Sequence, residues 1–214
     1  MRLAGVTGTN GKTTVTFLVA AMLAAAGRKY ARIGTTGNWV GDREETAAFT
    51  TPFPLELQEL LARARERGAT DAVMEVSSHA LAQGRVRPLR YHAVGLTSFS
   101  QDHLDFHATM DEYLAAKCLL PAAHLRAGGV VVAAVDDQPA AQRFLAAARS
   151  GSTVWRASRG GAPGRRSSPL RSCPKGQVSR RTSTRRPGRS RCARRWSARS
   201  TSTTCWWRSA WGWG

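Results

Sequence analysis

Apolar positions over the first 150 residues fall into two alternating kinds of run: short continuous blocks, and longer stretches with helical spacing. Residues 3–7 form a short apolar block, and residues 13–26 form a helix-prone stretch that stops at Gly27. A second strand is predicted at 31–34. Residues 54–67 read as an amphipathic helix with Pro54 in its first turn, Leu57, Leu60, Leu61 and Ala64 on one face, and Gly68 as its stop. Strand-like runs follow at 71–76 and 93–97, then a helix at 110–120, a buried strand at 129–135 and a helix at 139–148. Strands recurring with helices between them predict an α/β fold, a mostly parallel sheet flanked by helices on both faces. Ligands in such folds sit at the carboxyl ends of the strands, so the informative residues should lie just after them.

The first strand runs into residues 5–14, GVTGTNGKTT, and then directly into a helix. That order is what a phosphate-binding loop, or P-loop, requires. Glycines let backbone N–H groups turn toward an anion, the helix aims its positive dipole end at the same point, and Lys12 adds a full charge. Thr13 would offer a hydroxyl to Mg²⁺. The spacing departs from the common GxxxxGK[ST] form, because Val6 stands six positions before Lys12.

Two other strand ends carry candidate chemistry. Glu75 closes DAVMEV and is followed by Ser77, Ser78 and His79. A carboxylate there can hold Mg²⁺ or orient a water, and Ser77 or Ser78 can equally cap the next helix. After the strand at 93–97, SFSQDHLDFH places Asp102, His103, Asp105 and His107 within six residues. Alone, that cluster fits metal or phosphate chemistry or a solvated loop. Lys117, on the next helix, reads by itself as a surface lysine.

The formal charge of +18 suggests a nucleic-acid binder until its distribution is examined. Residues 1–137 hold all 14 acidic residues and 14 of the 32 Lys and Arg, so that part is neutral. The last 77 residues hold the other 18 Lys and Arg, no acid, six of the seven Trp and three of the four Cys. No stretch reaches the roughly 18 apolar residues of a membrane span, and the N-terminus reads as a strand, not a signal helix. A cytoplasmic protein is expected, with Cys118 a buried helix thiol.

Together these motifs resemble the Mur ligase family. GTNGKTT at 8–14, TTP at 50–52, MEVSSHAL at 74–81 with Gly84 and Arg85 beyond it, and DHLDFHATMDEYLAAK at 102–117 are similar to the central ATP-binding domain of these enzymes, in the MurE branch. The resemblance covers about residues 5–137. It implies an ATP-dependent ligase that adds the third amino acid to UDP-N-acetylmuramoyl-L-Ala-D-Glu, with ATP and Mg²⁺ as cofactors. By the resemblance, Gly8, Thr9, Asn10, Gly11, Lys12, Thr13 and Thr14 bind the ATP phosphates. Thr13, Glu75, His103 and Lys117 serve metal, Lys117 as a carbamate, and Lys12, Lys117, His103 and Glu75 form the catalytic set. Thr50, Thr51, Ser77, Gln83 and Arg85 hold the UDP-muramoyl peptide. Phe49 departs from the motif, which usually carries Asn there, and His79 and His107 fit it without a role. The resemblance implies an acyl-phosphate intermediate on the substrate carboxylate, displaced by the incoming amine, with charge neutralisation as the main catalytic device. The implied partners are the muramoyl dipeptide and an amino acid, with no membrane and no nucleic acid, and the implied state is a monomer.

The expected organisation is a central domain at 1–150 and a disordered, basic tail at 151–214. The family's N-terminal and C-terminal domains have no counterpart here, so this chain is expected to be an incomplete, inactive piece. Three readings compete for residues 156–214. One is a basic arm whose Arg and Trp engage RNA or anionic lipid, which would make the whole a nucleotide-binding module with a nucleic-acid-binding arm. Another is a site built from Cys173, Cys192 and Cys205, which form no CxxC unit. The favoured one is out-of-frame translation. Reading a GC-rich gene one base late turns common codons into those for Arg, Ser, Thr and Trp, and nearly eliminates Asp and Glu. Undoing the shift over residues 196–214, WSARSTSTTCWWRSAWGWG, permits LVGAFNVYNLLVALGVGLG, and FNVYN before an apolar helix resembles the end of a Mur central domain. The break is hypothesised between about residues 137 and 165. Sequencing the locus decides it: absence of nucleotides encoding FNVYN in another frame would end the idea.

Overall fold

The computed structural model describes residues 1–134 and 139–157. In chain order the elements are β1 (Arg2–Thr7), α1 (Lys12–Ala25), β2 (Tyr30–Ile33), β3 (Asn38–Val40), β4 (Arg43–Glu45), α2 (Pro54–Glu66), β5 (Asp71–Glu75), α3 (Ser78–Ala82), β6 (Tyr91–Leu96), α4 (Met110–Leu119), a π-helical turn (Leu120–His124), β7 (Leu125–Ala134), α5 (Pro139–Ala146) and β8 (Thr153–Ala157). All eight strands form one sheet in the order β4-β3-β2-β5-β1-β6-β7-β8. Pairing is parallel from β2 to β8 and antiparallel across β2-β3 and β3-β4.

Adjacent residues of the central strands feed opposite faces, as the pleat requires. Ala4, Val6, Val73 and Ala93 join Val15, Val19 and Leu23 of α1 on one face. Leu3, Ala72, Met74 and Val94 join Leu57, Leu60 and Leu61 of α2 and Phe144 of α5 on the other. Every residue of β5 is buried, which explains its unbroken AVM run, while Asp71 at its start is paired with Arg2 and Arg28. Gly5 of β1 is bare because an added Cβ would stand 2.8 Å from the Tyr91 ring.

Two features differ from the sequence reading. The antiparallel hairpin β3-β4 was not expected, and its second strand is the charged triplet REE at the sheet edge. β8 lies inside the segment expected to be a structureless tail. It pairs in parallel with β7, with Val131 beside Val154 and Ala133 beside Arg156. The sheet therefore continues past the predicted boundary at 150, because Val154 and Ala157 bury apolar surface there. The rest of the predicted tail, with Cys173, Cys192, Cys205 and the FNVYN region, lies outside the described residues, as do Asp136 and Asp137. Among the described residues no helix is long and apolar enough to cross a membrane.

Candidate active site

β1 lies between β5 and β6, so the loops after these three strands meet at one end of the sheet. They surround a cleft of about 530 Å³ lined by Thr9, Asn10, Gly11, Lys12 and Thr13 after β1, and by Glu75, Ser77, His79 and Arg85 after β5. Asp102 and His103 line it from beyond β6, and Thr35, Phe49, Thr50 and Thr51 from beyond β2.

The loop after β1 is shaped for an anion. At Gly8, φ is 147° and a Cβ would fall 2.0 Å from Thr97 Oγ1, so only glycine fits. Gly11 starts α1 in the left-handed region at φ 84°, and no side chain caps the helix. The first-turn N–H groups thus keep their donors for a ligand. Lys12 Nζ folds back onto Gly8 O at 2.9 Å and Thr9 O at 3.0 Å. Burial lowers the Lys12 pKa, and the carboxylates of Glu75 and Asp102 oppose that shift.

Glu75 is fully buried at the end of β5. Its Oε1 accepts from Thr35 N and its Oε2 from Thr35 Oγ1, both at 3.2 Å. With that proton given to Glu75, Thr35 Oγ1 accepts from Thr50 Oγ1 at 3.0 Å. Thr51 Oγ1 donates to Glu75 O at 2.9 Å and accepts from Ser77 N at 3.1 Å. Ser77 caps α3 by accepting from Ala80 N at 3.1 Å, so the capping reading of Ser77 holds. Arg85 donates from Nη1 to Thr51 O at 2.9 Å and from Nε to Gln83 Oε1 at 2.8 Å, and its guanidinium lies 4.0 Å from the Phe53 ring centroid. Phe49 packs edge-on against Phe53 at 5.1 Å.

His103 is the only non-glycine among the described residues with positive φ, at 53°. Asp102 Oδ1 accepts from its backbone N at 2.9 Å, and the imidazole of His79 packs edge-on against it at 4.9 Å. Burial lowers the pKa of His79 and of His107, helped by neighbouring imidazoles at both and by the Lys117 ammonium at His107. Lys117 is buried, contrary to the surface role its isolated position suggests. Desolvation and the nearby Lys12 charge lower its pKa to about 7, against a smaller pull from Asp102.

The cleft gathers Thr9, Asn10, Gly11, Lys12, Thr13, Thr50, Thr51, Glu75, Ser77, Arg85 and His103 from the sequence-derived set. Gly8, Thr14, Gln83 and Lys117 do not line it. Gln83 instead holds Arg85, and Lys117 rests on the Tyr113 ring. Thr35 and Tyr113 were missed. Thr35 was open to the same strand-end rule, since GTTG follows the predicted second strand. Among the described residues no three His, Cys, Asp or Glu side chains form a ready metal site.

The description "Mur ligase middle domain" matches residues 6–180. The chain is 46% identical over 144 residues to UDP-N-acetylmuramoyl-L-alanyl-D-glutamate--2,6-diaminopimelate ligase of Vibrio vulnificus, covering 67% of this chain and 29% of that protein. It is 51% identical over 117 residues to the ligase of the same name from Corynebacterium glutamicum, covering 55% of this chain and 23% of that one. A solved structure of a ligase of that name superposes with a TM-score of 0.62 at 31% identity, covering 77% of this chain and 33% of that chain. MurF ligase from Thermotoga maritima, solved with ADP, shares the fold at a TM-score of 0.53 and 16% identity, over 75% of this chain and 33% of that one. The chain thus spans less than a third of the length of these curated relatives. With well over half of its residues matched, the chain belongs to the Mur ligase family, through the middle domain.

Proposed function

We propose that the cleft binds ATP and Mg²⁺ and serves an ATP-dependent ligase of peptidoglycan precursor synthesis. The observation that carries this reading is the convergence of an uncapped helix start, Lys12, Glu75 and His103 on one cleft at the carboxyl ends of β1, β5 and β6. The phosphates lie against the N–H groups of residues 8–14, where backbone dipoles and Lys12 offset their charge. Lys12 leaves the carbonyls of Gly8 and Thr9 when a phosphate oxygen is offered, exchanging two neutral acceptors for an anionic one.

The donor chemistry fits a hard dication: the Thr13 hydroxyl and the Glu75 carboxylate supply oxygens, and His103 lines the same cleft. The set is short of anionic ligands, and Lys117, buried off the cleft but near enough to Lys12 and Asp102 on its wall to feel their charges, can supply one. A pKa near 7 leaves much of this lysine as the free amine, which adds to CO₂ and loses a proton to give a carbamate. Bound Mg²⁺ would withdraw charge from the transferring phosphoryl group. Thr50, Thr51, Ser77 and Arg85 orient the carboxylate of the muramoyl dipeptide toward the γ-phosphate, Gln83 fixing Arg85. The carboxylate attacks the γ-phosphorus, the β–γ P–O bond breaks and ADP leaves, and the amine of the incoming amino acid then attacks the acyl carbon, releasing phosphate and a proton. The names of the relatives support UDP-N-acetylmuramoyl-L-alanyl-D-glutamate and 2,6-diaminopimelate as the two substrates.

We place the catalytic middle domain at residues 1–150 with β8 as its continuation, and the remainder out of frame. The test is ligase turnover by protein expressed from the frame-restored gene with those substrates. The expected result is ATP-dependent product formation that falls at least a hundredfold in Lys117→Ala; full activity of that variant would contradict the assignment.

A further inference from the structure

Tyr113 has a place in the site to which none of the roles above applies. It sits on α4, fully buried, with its hydroxyl 3.2 Å from Thr9 Oγ1 in the phosphate loop. Thr9 Oγ1 also lies 3.2 Å from Ser100 O, to which it donates, and 3.1 Å from Ser100 N, from which it accepts. A hydroxyl has one proton to give, so with Thr9 donating to Ser100 the Tyr113 O–H is the donor of the pair. The loop hydroxyl is thereby held from α4.

The ring of the same residue carries the other half of the site. Lys117 Nζ stands 4.2 Å from its centroid, as expected for residues four apart on one helix face. Among the described residues no carboxylate is within ion-pair distance of Lys117. The negative face of the ring is therefore what its ammonium rests on. Phe99 stacks on the ring at 5.3 Å, and His107 and His103 pack against it at 5.2 and 5.8 Å. A ring clamped on this many sides cannot shift at its hydroxyl without shifting at its face.

We propose that Tyr113 is a positioning residue that ties the phosphate loop to Lys117, its hydroxyl holding Thr9 and its ring face holding the lysine. The proposal rests on the reading of the loop and of Lys117 given under Proposed function, and it describes the lysine before CO₂ adds, since the ring's negative face attracts an ammonium and not a carbamate. Phosphate that draws Thr9 out of its place would move the ring, and with it the lysine. The same free energy would work in reverse, so a change at Lys117 would alter affinity at the loop.

The sequence has four lysines, Lys12, Lys29, Lys117 and Lys175, so ¹³C-lysine labelling of the full chain yields a small set of ε-methylene NMR signals. Lys117→Arg identifies the Lys117 signal, which the Tyr113 ring displaces. In the free protein, kept in CO₂-depleted buffer so that Lys117 stays uncarbamylated, Tyr113→Phe and Thr9→Val are each expected to move that signal in the same direction and to leave that of Lys29 in place. The double variant is expected to move it no further than either alone. An unmoved Lys117 signal in either variant, or shifts that add, would overturn the proposal. Thr9→Ser, which keeps the hydroxyl, should restore the wild-type position, and Thr9→Val carries the test from the loop side if Tyr113→Phe fails to fold. Titration with a non-hydrolysable ATP analogue and Mg²⁺ is then expected to move the Lys117 signal in wild type, and by roughly half as much or less in Tyr113→Phe. No response in wild type would count against the nucleotide reading of the cleft, whereas the cycle in the free protein decides the Tyr113 link by itself.

Discussion

Glu75 can lie buried on the cleft wall because residue 34 has no side chain. A Cβ on Gly34 would stand 2.2 Å from Glu75 Oε1, well inside contact distance, and φ there is in the range any residue adopts. Gly34→Ala should therefore displace the carboxylate without straining the backbone. We expect about a tenfold loss of Mn²⁺ affinity with the fold retained, read by calorimetry and amide NMR; unchanged affinity would remove Glu75 from the metal set. Lys117 makes a pH prediction. Its folded pKa of about 7 lies below the ordinary 10.5, so between these values the unfolded chain binds more protons and stability rises with pH. The cost of the buried ammonium is fully present below about pH 7. Lys117→Met, which keeps the volume, should in CO₂-depleted buffer be more stable than wild type at low pH, on the order of 2 kcal/mol. That advantage should shrink as pH climbs toward the ordinary lysine range, and urea midpoints across pH check it. The places of Glu75 and His103 on the cleft were legible in the sequence, because Glu75 ends one strand and His103 lies in the loop beyond another. The burial of Lys117 was not legible from its own spacing, since it depends on α4 packing Tyr113 and Lys117 inward, and a charged residue on a mixed helix ordinarily faces water.

The two helices that border the site begin in opposite ways. α1 opens on Gly11 with no capping side chain, so its first N–H groups have no side-chain acceptor from the cap. α4 is closed by its own sequence: Thr109 Oγ1 accepts from Glu112 N at 3.1 Å, and Glu112 Oε2 accepts from Ala108 N at 3.0 Å. The Thr-x-x-Glu spacing announces such a start. Because α4 carries Tyr113 and Lys117, this cap helps to set both residues. Thr109→Ala should cost about 1 kcal/mol, seen as a lower thermal midpoint, and no change in that midpoint would refute the capping role. Helices and central strands were legible to within a few residues, because their apolar periodicity records which face is buried. The hairpin β3-β4 was not, since strands of three residues are too short to show a period. β4 is held by Arg63 and Arg67 of the α2 region reaching Glu45, a tertiary contact between charged residues that no apolar pattern reveals. Its charged triplet also guards the sheet edge against further pairing.

At the scale of the whole molecule, strand order explains why distant motifs share a cleft. β1 is flanked by β5 and β6, so residues near 10, 75 and 103 meet although they are far apart in sequence. The alternation of strands and helices was enough to anticipate a parallel sheet, and the strand-end rule anticipated which residues line its cleft. Net charge was a poor guide, because the excess of Lys and Arg belongs to the acid-free last 77 residues and not to the part that forms the cleft. The end of the sheet was also misplaced: composition drew the boundary at 150, while β8 extends the sheet to Ala157 and the family match runs to 180. Composition averages over a window, and one five-residue strand inside a basic segment is lost in that average. The central claim is that this chain carries the phosphate site of a Mur ligase middle domain, and calorimetric titration of the chain with Mg·ATP tests it most directly. Saturable binding that weakens at least tenfold in Lys12→Ala is the predicted result; no binding by the folded wild-type chain, or equal binding by the variant, would contradict it.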